Sequence, residues 1–342
     1  MQYGEIAALA AALLWTFSSM LWGQVKISAF TLNACKNVIG TTFILLHLSC
    51  IYLLYGSVSF TSNPADWGWL SLSGLIGIVV GDTLYFRCLQ ILGPRRALLI
   101  ACASPLFATV LGFQFLGQQI GVVVLCGILL TVAGVATVVS DRRADVEAPG
   151  LLPGKFGVGV TLGLLSAVCQ AFGGMFSTLG MKGDFGALEA TMIRLLVSGI
   201  ATVLLLMIQK ETRKSLISKF KSKYMKIIIP ATAIGTWMGI WFSQLAYKNA
   251  DLAVAQTLMA TCPLFAIPVV WITFGHKATR IAIIGTTIAL LGIWLTVQNE
   301  KDDPAEPAPT KPNVEEVRIE DYGNRMKLGG TWSVSQTPLA ER

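Results

Sequence analysis

The sequence predicts an all-α polytopic membrane protein, with ten transmembrane helices arranged as two inverted five-helix repeats. Three observations predict it. The chain has 342 residues, 54% hydrophobic and only 13% charged, with mean hydropathy +0.65. A soluble domain carries about 25% charged residues, and here the deficit runs along nearly the whole length, so lipid is the solvent. Apolar stretches of the roughly 20 residues that a helix needs to cross the hydrocarbon recur ten times. Finally, the chain is internally duplicated. Residues 76–134 laid over 234–292, at a constant shift of 158, pair Ile76-Gly77 with Ile234-Gly235, Gly81 with Gly239, and Pro105-Leu106-Phe107-Ala108 with Pro263-Leu264-Phe265-Ala266.

The spans read in order as 4–22, 30–55, 68–91, 95–116 and 120–139, then 157–180, 187–208, 226–247, 252–274 and 279–298. The domain organisation follows: a first five-helix repeat over 1–139, an inter-repeat loop over 140–156, a second repeat over 157–298 and a polar tail over 299–342. The tail is rich in Pro and Glu, poor in apolar residues, and expected to be disordered. The first span lacks a basic leading segment and its equivalent recurs inside the chain, so it reads as a retained helix and not a cleaved signal. Gly4, Phe17 and Met20 match Gly159, Phe172 and Met175 at a shift of 155. Five is odd, so the second repeat must lie upside down relative to the first, about a two-fold axis in the membrane plane.

Charge does not point to nucleic acid. The net charge of +7 comes from Lys and Arg in short loops beside apolar spans, which is a signature of membrane topology. Those residues concentrate in the loops joining odd to even spans, above all 209–226, which the positive-inside rule would put in the cytoplasm with both termini outside. The seven cysteines lie in apolar stretches without a C-x-x-C pair, and the two histidines, His47 and His276, are too few for a metal site. Neither cofactor nor metal is expected.

Charged residues inside spans are the strongest site candidates. An ionisable group at mid-membrane costs about 2.5–3.5 kcal/mol on insertion scales, so it normally faces a cavity or a partner. Lys36, Asp82 and Arg194 are such residues, and Lys36 falls on Arg194 at the shift of 158. The two-fold axis would set these two cations on opposite walls of one cavity, where they would attract an anionic group. Snorkelling or structural pairing is the competing reading. Asp82 falls on Ile240 and has no acidic counterpart. It is a candidate for proton coupling, against a fixed ion pair with Lys36 or Arg87, and nearby cations favour the ion pair. Polar and aromatic residues at helical spacing complete the candidate lining: Trp15 and its equivalent Gln170, Tyr85 on the face of Asp82, the stripe Trp237, Trp241 and Gln244, and Gln256. For each of these alone, interhelical bonding or interfacial anchoring competes. Pro105 and Pro263 are expected to kink their helices and act as gates, or to set a static bend.

These motifs resemble the EamA-type drug/metabolite transporter superfamily. Ala103-Ser104-Pro105-Leu106-Phe107-Ala108 followed by Phe115-Leu116-Gly117, repeated as Thr261-Cys262-Pro263-Leu264-Phe265-Ala266 followed by Phe274-Gly275, is similar to its fourth-helix pattern. Gly127 and Gly134, with Gly285 and Gly292, are similar to its fifth. The family often carries Glu just after the glycine closing the fourth helix, where this chain has Gln118 and His276. The resemblance covers 1–298 and implies ten helices, transport and cytoplasmic termini, the last in conflict with the loop charges. The expected function is therefore a secondary-active exporter of a small metabolite such as an amino acid, or of a drug-like compound. It would work by alternating access around a cavity between the repeats, in the plasma (inner) membrane, as a monomer or homodimer. The substrate would be anionic or zwitterionic. The alternative is a non-transporting sensor or scaffold. An enzyme is not expected, because the chain has no His/Asp/Glu cluster, HExxH or GxSxG, and it lacks the P-loop of an ATP-driven pump.

Overall fold

Each of the ten expected spans carries a helix. The structure, a computed structural model, describes residues 3–56, 63–92, 97, 100–140, 156–183, 185–208, 224–265 and 279–299. The first repeat holds α1 (Tyr3–Trp22), α2 (Ala29–Tyr55), α3 (Pro64–Leu92), α4 (Ser104–Leu116) and α5 (Val122–Ser140). The second holds α6 (Phe156–Gly180), α7 (Ala187–Ile208), α8 (Met225–Asn249), α9 (Leu252–Met259) and α10 (Arg280–Asn299). The chain divides into units 1–300 and 301–342, and the described helices all belong to the first. Most of the inter-repeat loop and all but the first residue of the polar tail, together with Arg95, Arg96, Gly275 and His276, lie outside the described residues.

Local chemistry sets the helix ends. Ser28 caps α2 by accepting from the Thr31 N–H at 3.2 Å, and Asn63 caps α3 by accepting from Ala65, with Pro64 in the first turn where no N–H is needed. Gly56 ends α2 at φ 75° and Gly117 ends α4 at φ 70°, a left-handed conformation that glycine adopts without strain. Gln118, next in sequence, crosses to the other repeat. Its Oε1 accepts from the backbone N–H of Leu252 at 3.2 Å, at the start of α9, where Asp251 makes no side-chain cap.

The repeats interlock about a dyad. α2 packs against α7 and α5 against α10, while α1 runs beside α8 and α6 beside α3, so each half inserts helices into the other. Thr41 Oγ1 donates to the Leu195 carbonyl at 2.8 Å, while Gly199 opposes Asn37 and Thr41. Positions 37 and 41 are the equivalents of 195 and 199, so this contact reproduces itself on exchanging the halves. The repeated glycines sit on the same axis. A Cβ on Gly127 would meet Gly292 and Thr296, and one on Gly134 would run into the backbone of Ala289 and lie 2.7 Å from Gly285 O. The α5–α10 pair is thus an antiparallel contact of bare backbones, the means by which membrane helices gain packing when lipid gives no hydrophobic drive.

The sequence pattern missed two features. The third helix of each repeat contains a π-helical stretch, Gly74–Gly81 in α3 and Ala233–Met238 in α8. Also, the fourth span of each repeat is not a continuous kinked helix. It breaks at Cys102-Ala103 and at Ala260-Thr261, with matching short turns in which Ala103 donates to Ile100 and Thr261 to Leu258. Pro105 stands in the first turn of α4, and Pro263 follows its break in the same way, so neither removes a helical bond in mid-span. Proline is tolerated there because first-turn N–H groups have no helical acceptor.

These contacts can be tested through stability. Gly134→Val forces a side chain into the α5–α10 backbone contact and is expected to cost about 1–3 kcal/mol, read as a lowered Tm in detergent. Gln118→Ala removes the cap on α9 and should cost about 0.5–2 kcal/mol, whereas Gln118→Glu should restore or exceed the original Tm, because a carboxylate suits a helix N-terminus.

Candidate functional site

A cavity of about 160 Å³ opens where α1, α3, α6 and α8 meet α4 and α9. Its shape begins with the π-helical stretches. A π turn interrupts the regular ladder, and side chains of the neighbouring helices add hydrogen bonds to its carbonyls, Gly77 O taking one from Gln170 beside the one from the Asp82 N–H. Gln170 donates to Gly77 O at 3.2 Å, and its repeat equivalent Trp15 donates to Gly235 O at 2.8 Å, so one contact is built twice with different chemistry. Ser166 donates to Gly81 O, Ser198 to Gly74 O, and Asn33 to Ile78 O and Val79 O.

Asp82 stands where the π stretch of α3 returns to α-helix. Lys36 donates to its Oδ2 at 2.8 Å, and Gln170 donates to its Oδ1 at 2.9 Å. Lys36 also donates to Asn37 Oδ1 at 2.9 Å. The lysine side chain is 2% exposed and the aspartate 23%, so the pair lies in the cavity wall with its acid turned inward. Of the two expected partners for Asp82, the structure pairs it with Lys36.

Arg194 also lines the cavity, within electrostatic reach of Asp82. It is 5% exposed. One guanidinium N–H reaches Gln244 Oε1, Nη2 lies against Gly77, and Nε has no hydrogen-bond partner. Among the described residues no carboxylate forms an ion pair with it. At one end of the cavity Gln256 ties four helices together. It accepts from Ser104 at 3.0 Å and donates to Tyr247 Oη at 2.7 Å and Gln170 O at 3.3 Å.

The structure therefore brings Lys36, Asp82, Arg194, Trp15, Tyr85, Gln170 and Gln256 to one cavity, and Pro263 with them. Pro105 is not among the lining residues. Gln244 is not among the lining residues; it accepts from Arg194, and its amide reaches Met181 Sδ. Trp241 is placed elsewhere. Together with Trp237 it packs on His47, at 5.2 and 5.5 Å between ring centres, away from the cavity. Helical spacing puts the three on one stripe, but the stripe is wide enough to span two neighbours: Trp237 and Trp241 meet His47 of α2, and Gln244, three residues on in the regular helix after the π stretch, meets Arg194 of α7. Sequence reasoning missed Tyr247, Asn33 and Asn37. Tyr247 follows Gln244 by three, and the asparagines flank Lys36, which is signal enough to include them.

A family model matches both halves of the chain, over residues 2–140 and 157–298, and its description is EamA-like transporter family. The chain belongs to the EamA-like transporter family. A solved chain described only as a crystal structure of a protein has the same fold, with a TM-score of 0.66 and 14% identity, over 86% of this chain and 97% of that one. No curated protein matches. This EamA protein is thus an integral, multi-pass membrane protein of the drug/metabolite transporter type.

Its ion pair has a measurable signature. Asp82→Leu strands a buried ammonium and is expected to cost about 1–3 kcal/mol, less than a fully enclosed pair because Asp82 is partly exposed. The double variant Lys36→Met/Asp82→Leu should recover most of that loss. Thermal unfolding of the three proteins in nanodiscs checks it.

Proposed function

We propose that this EamA protein is a secondary-active exporter of a small anionic or zwitterionic metabolite, working by alternating access of the two repeats around the dyad cavity in the plasma (inner) membrane. The observation that carries the reading is Arg194. A cation buried to 5% exposure with an unpartnered Nε, lining a cavity, is costly unless a charge of opposite sign arrives. Lys36 does not have this property, because Asp82 answers it.

Cavity size narrows the substrate. About 160 Å³ lies below the roughly 300–1,000 Å³ of drug-sized sites, which favours a metabolite of amino-acid size over a drug-like compound. Matched backbone breaks near Pro105 and Pro263, and matched π stretches in α3 and α8, supply equivalent deformable places in the two halves, as a carrier that rocks between two states requires.

Thermal unfolding of purified protein against amino acids, monocarboxylates, sugars, nucleosides and lipophilic cations tests the reading. A ligand that binds the folded state raises Tm by mass action. Anionic or zwitterionic compounds should stabilise the natural chain by several degrees and leave Arg194→Gln unmoved, and the same compounds should be transported in proteoliposomes. Equal responses from both proteins would remove Arg194 from the site. Binding without transport would favour a sensor or scaffold.

A further inference from the structure

The two halves carry equivalent cations and treat them differently. Lys36 and Arg194 coincide at the shift of 158, and both line the cavity. In the first half the ammonium is answered from within, by Asp82 Oδ2 at 2.8 Å, and Gln170 holds the other carboxylate oxygen at 2.9 Å. The second half has Ile240 at the place of Asp82 and Trp15 at the place of Gln170. Ile240 and Trp15 line the cavity, and Trp15 spends its N–H on Gly235 O. Arg194 accordingly turns one N–H to the neutral Gln244 and leaves Nε without a partner. One of two related anion positions is filled by the protein itself, and the other is not.

We propose that Asp82 is a specificity-determining residue: its carboxylate stands in for a substrate's anionic group in the first half, so the carrier accepts substrates with one anionic group, bound at Arg194 beside Ile240. The proposal rests on the reading of Arg194 given above. Its physical basis is charge balance in a site of low polarity. A substrate with two anionic groups would bring its second charge to an ammonium already neutralised, and next to the Asp82 carboxylate, where like charges repel. Without Asp82 the same cavity would hold two bare cations on related walls, and a dianion could span them.

Butyrate and succinate share a four-carbon length and differ by one carboxylate, which makes them suitable probes for the full chain in nanodiscs, with ligand-dependent Tm as the readout. The natural chain should bind butyrate at least tenfold more tightly than succinate. Asp82→Ile and the more conservative Asp82→Asn should each bind succinate at least tenfold more tightly than the natural chain does. Ile240→Asp should fill the second position and bind neither probe. In the relocated pair Asp82→Ile/Ile240→Asp, butyrate binding should return and be abolished by adding Lys36→Gln. If the natural chain binds butyrate while both Asp82 variants bind succinate no better than it does, the proposal is overturned and the reading of Arg194 stands. Silence of every protein toward both probes overturns the two together. Should Asp82→Ile fail to fold, Asp82→Asn and Ile240→Asp decide the matter by themselves.

Discussion

Within the hydrocarbon no water is available, so every polar group must find its partner inside the protein. That constraint orders the rest of this structure. It explains why all the described spans are helical, and it suits the hydrogen bonds that carbonyls of the π stretches take from side chains of the other repeat. Ser166, Gln170 and Ser198 serve α3 in this way, and Trp15 serves α8. These bonds do two things at once. They give polar side chains in the hydrocarbon an acceptor, and they stitch the halves together around the cavity. Among the described residues lining that cavity, Arg194 is the charged group with a buried nitrogen, Nε, that has no hydrogen-bond partner.

Duplication supplied a symmetric frame, and divergence placed the chemistry. The dyad contacts Thr41–Leu195 and Gly134–Ala289 recur across the halves as Gly199–Asn37 and Gly292–Thr131, because a glycine on one side of each lets the backbones approach closely although the other residues differ. The polar residues have not kept that symmetry. Gln170 answers to Trp15, Asp82 to Ile240 and Tyr247 to Leu89. A symmetric scaffold can thus present an asymmetric surface to a ligand, with an internally neutral wall at Lys36 and a cationic one at Arg194.

Much of the candidate site is legible in the chain's own pattern. Charge in an apolar span is costly enough that Lys36, Asp82 and Arg194 stand out at once, and the repeat register predicts that the two cations are related. The same reasoning narrows the partner of Asp82 to two residues. What misleads is the assumption that residues on one helical stripe share one neighbour and that each span is one unbroken helix. The period itself does not say which neighbour each residue of a stripe meets: Trp237 and Trp241 pack on His47 of α2, while Gln244 meets Arg194 of α7. The prolines mislead for a related reason. Pro105 reads as a kink only if its helix is continuous, and the turn at Cys102-Ala103 makes it instead the start of a new segment.

By itself the sequence determined the class of protein, the number of spans, the duplication and the inverted arrangement. Each follows from quantities that local composition carries: apolar length, repeat shift and the parity of five. Tertiary structure alone decided which buried charges are answered. The Lys36–Asp82 bond joins residues 46 apart, and Gln256 reaches Ser104 in the other repeat and Gln170, 86 residues away in its own. Such contacts depend on helix rotation and on close backbone approach at glycines, to within a fraction of a turn. No local pattern encodes that rotation, because it is set jointly by all the helices that pack around the dyad.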